Sequence, residues 1–172
     1  RLSVMTNQPE KLVKAKLLKG MQDSSWDLAL GRRRMAERVE RVCRLYGFLP
    51  YDTPALEARD ALLGPEPSAE QLRNIFTFEN QDDETVGLRF DLTVPLARAV
   101  SQYTQGELPR PFRRYQCGNV WRYDKPEPGR FREFMQFDID MVGAPEMSAD
   151  AEVIAVVDAI LRELRVENYV IR

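Results

Sequence analysis

The residues best suited to chemistry are concentrated in one stretch, positions 112–143. It carries Arg122, Asp124, Lys125, Arg130 and Arg132, followed by Gln136, Asp138 and Asp140. In a strand, residues two apart share a face. Arg122 and Asp124 therefore point the same way, and Gln136, Asp138 and Asp140 share one face of the partner strand. So many charged and polar groups on one side would be costly against an apolar core. That side must meet either solvent or a polar pocket, and the pattern alone admits both. Lys125, Arg130 and Arg132 gather positive charge at a Pro/Gly turn beside Arg122. Such a cluster can hold phosphate oxygens, because guanidinium binds them in a bidentate manner; an ordinary solvated basic turn fits as well.

The elements that must position these side chains can be read from spacing. A long β pair is predicted over 112–123 and 131–141, joined by Asp124-Lys125-Pro126-Glu127-Pro128-Gly129. Met35, Val39, Val42, Cys43 and Tyr46 fall on one face of a helix over 31–46, and Gly47 is placed to end it. Pro50 and Pro54 make the following segment extended, an edge or interface strand. Gly64 to Ser68 has the chemistry of a surface loop. Two short β runs, 75–78 and 86–90, flank Asn80-Gln81-Asp82-Asp83 as a hairpin. A helix starts near Thr93, with Thr93 or Asp91 as its cap. Val153, Val156, Val157, Ile160 and Leu164 share one side of a final helix over 148–164. Helices fall between antiparallel hairpins rather than in βαβ alternation, which predicts an α+β fold, an antiparallel sheet with flanking helices.

Composition narrows the function. The 172 residues are 44% hydrophobic and 30% charged, as expected of one globular domain, and 25 basic against 27 acidic residues give a net charge of −2. No dominant nucleic-acid patch is visible, and Arg32-Arg33-Arg34 reads as a solvated helix start. There is no histidine, so the commonest general base and metal ligand are missing from this segment. Cys43 and Cys117 have no pairing or metal spacing and read as free, buried thiols in a reducing cytosol. No leader or spanning segment is apparent. Residues 1–16 read as a tail. The start on Arg1 and the β-rich run from Asn168 to Arg172 set the expectation of a piece of a longer protein.

Four ordered stretches carry a family resemblance. Gly118-Asn119-Val120-Trp121-Arg122-Tyr123-Asp124-Lys125-Pro126, continuing through Gly129-Arg130-Phe131-Arg132-Glu133-Phe134 to Gln136-Phe137-Asp138-Ile139-Asp140, resembles motif 2 of histidyl-tRNA synthetases. Lys19-Gly20-Met21-Gln22-Asp23 resembles the entry segment of that family. Tyr46-Gly47-Phe48 leading to Thr53-Pro54-Ala55-Leu56-Glu57 resembles motif 1, the dimer-forming element. Leu88-Arg89-Phe90-Asp91-Leu92-Thr93-Val94-Pro95-Leu96-Ala97-Arg98 resembles a histidine-binding segment.

The resemblance implies that residues 17–172 are the front of a class II synthetase catalytic domain, with motif 3 and the anticodon-binding domain absent. It implies ATP-dependent activation of L-histidine and its transfer to tRNA(His), in a cytoplasmic homodimer formed through the motif 1 region, with ATP as substrate and Mg²⁺ as its ion. By the same resemblance Arg122 is the catalytic arginine, contacting the amino-acid carboxylate and the α-phosphate. Asp124 lies near the adenine, where many class II enzymes have Glu, and Arg130 meets the outer phosphates. Asp91, Thr93 and Gln136 hold the substrate ammonium, and Asp140 faces the imidazole. The metal ligands are left open. A different class of protein shares the fold: a non-catalytic, histidine-sensing paralogue, the regulatory subunit of ATP phosphoribosyltransferase. An inactive fragment is the third alternative.

Overall fold

The computed structural model describes residues 15–103 and 107–171. The tail read over 1–16 therefore lies outside the described residues, apart from its last two positions.

The chain opens with α1 (Trp26–Leu45), which begins five residues before the predicted helix. The Ser25 side chain accepts from Leu28 N and Asp27 sits in the first turn, so the positive helix end is satisfied there. Arg32-Arg33-Arg34 is consequently inside the helix rather than at its start, and Arg32 Nη1 donates to Ser24 Oγ at 2.8 Å. Gly47, with φ of 78°, ends the helix as expected. There follow β1 (Leu49–Pro50), β2 (Leu56–Ala58), α2 (Arg59–Leu63) and α3 (Ala69–Asn74). The two short helices were not predicted, although Ser68 and Gln71 form a capping box that opens α3.

The expected hairpin is β3 (Thr77–Glu79) with β4 (Thr85–Leu88). Its turn is held by Asn80 Oδ1, which accepts from Asp82 N and Glu84 N, both at 2.9 Å. Next comes α4 (Thr93–Ser101), whose N-cap position is Leu92 rather than Thr93 or Asp91; the side chain of Asp91, one residue earlier, still accepts from Val94 N at 3.0 Å. The long pair is β5 (Phe112–Trp121) with β6 (Glu133–Val142), and α5 (Met147–Glu163) follows. The β-rich run at the C-terminus forms no strand among the described residues. It turns back on α5 instead, where the Tyr169 hydroxyl donates to Asp158 Oδ1 at 2.6 Å.

The strands make two three-stranded sheets, ordered β1-β5-β6 and β2-β4-β3. The second is antiparallel throughout, whereas β1 runs parallel to β5 and sits at the edge. A parallel pair needs a long crossover. Here the crossover contains the whole second sheet, with α2, α3 and α4.

Alternation along β5 and β6 then sorts the side chains. Odd-numbered Tyr115, Phe137, Ile139 and Met141 pack with Val39 and Cys43 of α1, Phe48, and Val156 of α5. Each fully buried apolar side chain of this kind contributes about 1.5–3 kcal/mol. The even-numbered face is turned toward the second sheet and α4. Both cysteines are free, but only Cys43 is fully buried, and Cys117 is half-buried. Burial pushes the Cys43 thiol up to about 11 and raises that of Cys117 as well.

Candidate active site

Register places the even-numbered polar residues of β5 and β6 opposite each other. Arg114 pairs with Asp140, Gln116 with Asp138, and Gly118 with Gln136. Arg122 and Asp124, which parity puts on one side, are thus not the residues opposite Gln136 and Asp140. Arg122 lies just beyond the ladder, its N donating to Arg132 O at 2.9 Å. Its Nε donates to Phe90 O at 2.8 Å, and its guanidinium lies 5.1 Å above the centre of the Phe134 ring.

Asp124 is in the loop, not in the strand. Pro126 and Pro128 lack donors, so the ladder cannot continue, and Asp124 is free to ion-pair with Arg130. The basic loop also divides its charges. Arg132 donates to Asp124 O at 3.0 Å and Lys19 O at 3.2 Å, and lies 3.8 Å over the Tyr123 ring, so it braces the loop. Lys125 is exposed. Arg122, Asp124 and Arg130 instead line one cleft of about 310 Å³, together with Phe90 and with Glu70 and Asn74 of α3. A second space of about 310 Å³ continues past the same three residues to Phe131 and Phe134.

The acidic end begins where Phe90 gives way to Asp91. Gln136 Nε2 donates to Asp138 Oδ1 at 2.9 Å, and the Thr93 hydroxyl approaches Asp138 Oδ2 at 3.4 Å. Burial raises the pKa of Asp91, with Asp138 adding to the rise and the hydrogen bond from Val94 N opposing it. Burial likewise raises that of Asp140, while the Arg114 charge pulls it down. Two buried oxygens here, Gln136 Oε1 and Asp140 Oδ2, lack a hydrogen bond. Arg114 Nη2 forms an ion pair with that Asp140 oxygen at 2.8 Å. The site is thus a cationic cleft for anionic groups joined to an acidic, acceptor-rich groove for a cation or an N–H donor. Four expected residues, Asp91, Thr93, Gln136 and Asp140, fall in the groove with Asp138 between the last two, and Arg122, Asp124 and Arg130 line the cleft.

Sequence reading missed Arg114 and Gln116, both fully buried beneath the groove, and Arg89 beside them. Parity would have found the first two by counting back two more steps from Gly118. No group of three or more His, Cys, Asp or Glu able to hold a metal occurs among the described residues.

The sequence profile described as Histidyl-tRNA synthetase matches residues 20–172. The chain belongs to that family. A histidine–tRNA ligase of Rhodopirellula baltica is 40% identical over 160 residues, covering 93% of this chain and 36% of the relative. The crystal structure of histidyl-tRNA synthetase from Nostoc sp. PCC 7120 superposes with a TM-score of 0.77 at 30% identity, covering 92% of this chain and 36% of that one. A Bacillus halodurans structure described as an ATP phosphoribosyltransferase regulatory subunit/histidyl-tRNA synthetase gives a TM-score of 0.76 at 26% identity, covering 92% and 40%. The chain spans about a third of the length of the curated relatives it matches.

Within the matched stretch the profile starts at Gly20, and the structure gives that glycine a purpose. Its φ is 84°, its carbonyl accepts from Arg132 N at 2.8 Å, and a Cβ there would lie 2.7 Å from Arg132 Cγ. The entry segment is thereby strapped to the loop that carries Arg130.

Proposed function

We propose that this chain is the front part of the catalytic domain of a histidyl-tRNA synthetase, binding ATP and L-histidine for formation of histidyl-adenylate. The observation that carries the proposal is the continuity of the two halves of the site. Arg122 belongs to the phosphate-compatible cleft, and through Phe90 O it is hydrogen-bonded to the segment that places Asp91 and Thr93.

In this reading the histidine carboxylate attacks the α-phosphorus of ATP. A carboxylate O–P bond forms, the bond from the α-phosphorus to the bridging oxygen breaks, and pyrophosphate leaves. No protein base is needed, which suits a segment without histidine. Arg122 orients the carboxylate and the α-phosphate and stabilises charge at the phosphorus. Arg130, held by Asp124, reaches for the outer phosphates, and Asp124 lies toward the adenine. Asp91, Thr93 and Gln136 receive the substrate ammonium, and Asp140 the imidazole. Groups shaped for those donors stay unpaired with another amino acid, which is the source of specificity.

Mg²⁺ accompanies ATP in the proposal. The described residues offer no cluster of three carboxylates, thiols or imidazoles for it. Transfer to tRNA(His), motif 3 and the anticodon-binding domain belong to the rest of the full-length enzyme, a cytoplasmic homodimer. Leu49 on the edge strand and Leu45 at the end of α1 are 65% and 79% exposed, which supports the motif 1 region as the dimer surface.

The test is histidine-dependent ATP–pyrophosphate exchange by the full-length enzyme and by this chain alone. Exchange by the full-length enzyme, with weak or no exchange by the chain alone, is expected. Equal rates would remove the need for the missing parts. Calorimetry showing histidine binding with no ATP binding would favour the regulatory paralogue instead.

A further inference from the structure

Below the groove lies a charge that the proposed reaction does not use. Arg114 has no solvent exposure, and a guanidinium in such a place is costly unless its partners are close and well aimed. Its Nη1 donates to Gln116 Oε1 at 2.6 Å, and its Nη2 donates to Leu92 O at 2.9 Å. The same Nη2 ion-pairs with Asp140 Oδ2 at 2.8 Å, while the buried Nε has no hydrogen-bond partner among the described residues. Gln116 Oε1 also accepts from Thr53 Oγ1 at 3.2 Å, so the amide is fixed from both sides and cannot swing away.

These partners are not scattered. Leu92 is the residue between Asp91 and Thr93, and Asp140 is the far member of the acidic row. The guanidinium therefore ties the backbone of the α4 entry to the carboxylate on β6, beside the 3.4 Å contact of Thr93 with Asp138. We infer that Arg114 is the positioning residue of the histidine end of the site, fixing the Leu92 carbonyl and the Asp140 carboxylate in one rigid unit so that ammonium and imidazole are received at a set separation. The inference rests on the proposed roles of Asp91, Thr93 and Asp140.

The electrostatics agree with the geometry. Charged groups face Asp140 from three elements: Arg114 on β5, Asp138 beside it on β6, and Asp91 in the segment before α4. Burial and both carboxylates raise its pKa, and Arg114 is the cation that opposes them. Arg114 thus sets where Asp140 sits and also favours its ionised form.

The experiment is pyrophosphate exchange by the full-length enzyme with Arg114→Met and Arg114→Lys. In Arg114→Met the KM for histidine should rise about tenfold or more with the KM for ATP almost unchanged, since only the histidine end loses its set geometry. The acid limb of kcat/KM for histidine should also move to higher pH, because Asp140 loses the charge that favours ionisation. Lysine keeps the charge without the fork, so it should restore the pH limb while leaving histidine KM raised. If the methionine variant does not fold, the lysine variant decides by its histidine KM alone. An unmodified enzyme active in exchange, with variants whose histidine KM is unmoved or whose two KM values rise together, would overturn this inference only. No histidine-dependent exchange by the unmodified enzyme would overturn the functional reading and this inference with it.

Discussion

The guanidinium of Arg89 occupies the space that a side chain at Gly118 would need: a Cβ there would clash with Arg89 Nη2. Arg89 is itself fixed, its Nε donating to Asn119 O at 2.9 Å and its Nη1 to Thr53 O at 2.7 Å. Gly118→Ala should therefore destabilise the protein by about 1–3 kcal/mol, the usual range for overpacking. Urea denaturation measures it, and an alanine variant as stable as its parent would mean that Arg89 has room to move.

Glu57 of β2 and Arg98 of α4 form a forked ion pair whose side chains are 9% and 25% exposed. Replacing only one partner should cost about 1–3 kcal/mol, below the range for a fully buried pair because water still reaches the arginine. A double-mutant cycle with Glu57→Gln and Arg98→Met should give a coupling energy of about 1 kcal/mol or more. Additive effects would show that the pair does not join the sheet to the helix.

Burial raises the carboxyl pKa of Asp91. A raised folded-state pKa means that the ionised form opposes folding, so this penalty is absent below the ordinary carboxylate pKa of about 3.9 and grows as pH rises through the folded value. Asp91→Asn keeps an oxygen able to accept from Val94 N. It should be at least as stable as the parent at pH 7, with that advantage shrinking toward pH 4, while histidine-dependent exchange falls. Denaturation curves at both pH values check this, and greater loss of stability at pH 7 than at pH 4 would contradict it.

Arg122 and Arg130 share a cleft but differ in anchorage, since Arg122 is held to Phe90 O and Arg130 is 62% exposed on a loop. Arg122→Ala should lower the exchange rate of the full-length enzyme by about 10²–10³-fold, as for loss of a transition-state donor. Arg130→Ala should act mainly on the KM for ATP and leave the melting temperature unchanged. Similar kinetic defects from both substitutions would argue against separate roles.

The two thiols should react at very different rates. Cys43 has no exposure and a pKa pushed to about 11, whereas Cys117, its pKa also raised by burial, is only half-buried. Because thiolate is the reactive form, a disulfide reagent should label Cys117 slowly in the native protein and Cys43 only on unfolding. Mass spectrometry of the labelled peptides reads the order directly.

Much of the architecture was legible because it is encoded locally. The stripe from Met35 to Tyr46, the stop at Gly47, the Asn80 turn and the long β pair each depend on neighbours within a few residues. Strand parity likewise put Gln136, Asp138 and Asp140 on one polar face, and that face is the groove. Helices α2 and α3 were hidden because each is only five or six residues long and carries no full helical period. The β-rich ending misled for the opposite reason: strand propensity without a partner strand makes no strand.

Composition and alternation were enough to say which residue types line the site and that this stretch brings no histidine to it, since neither depends on how distant segments meet. Only the tertiary structure decided their partners. Asp140 belongs with Arg114, Asp124 with Arg130, and Arg122 with Phe90 O because register, a proline-broken loop and a crossover of some sixty residues bring those atoms together. A two-residue periodicity can name the face of a strand, but it carries no information about the residue across the ladder or the segment packed above it.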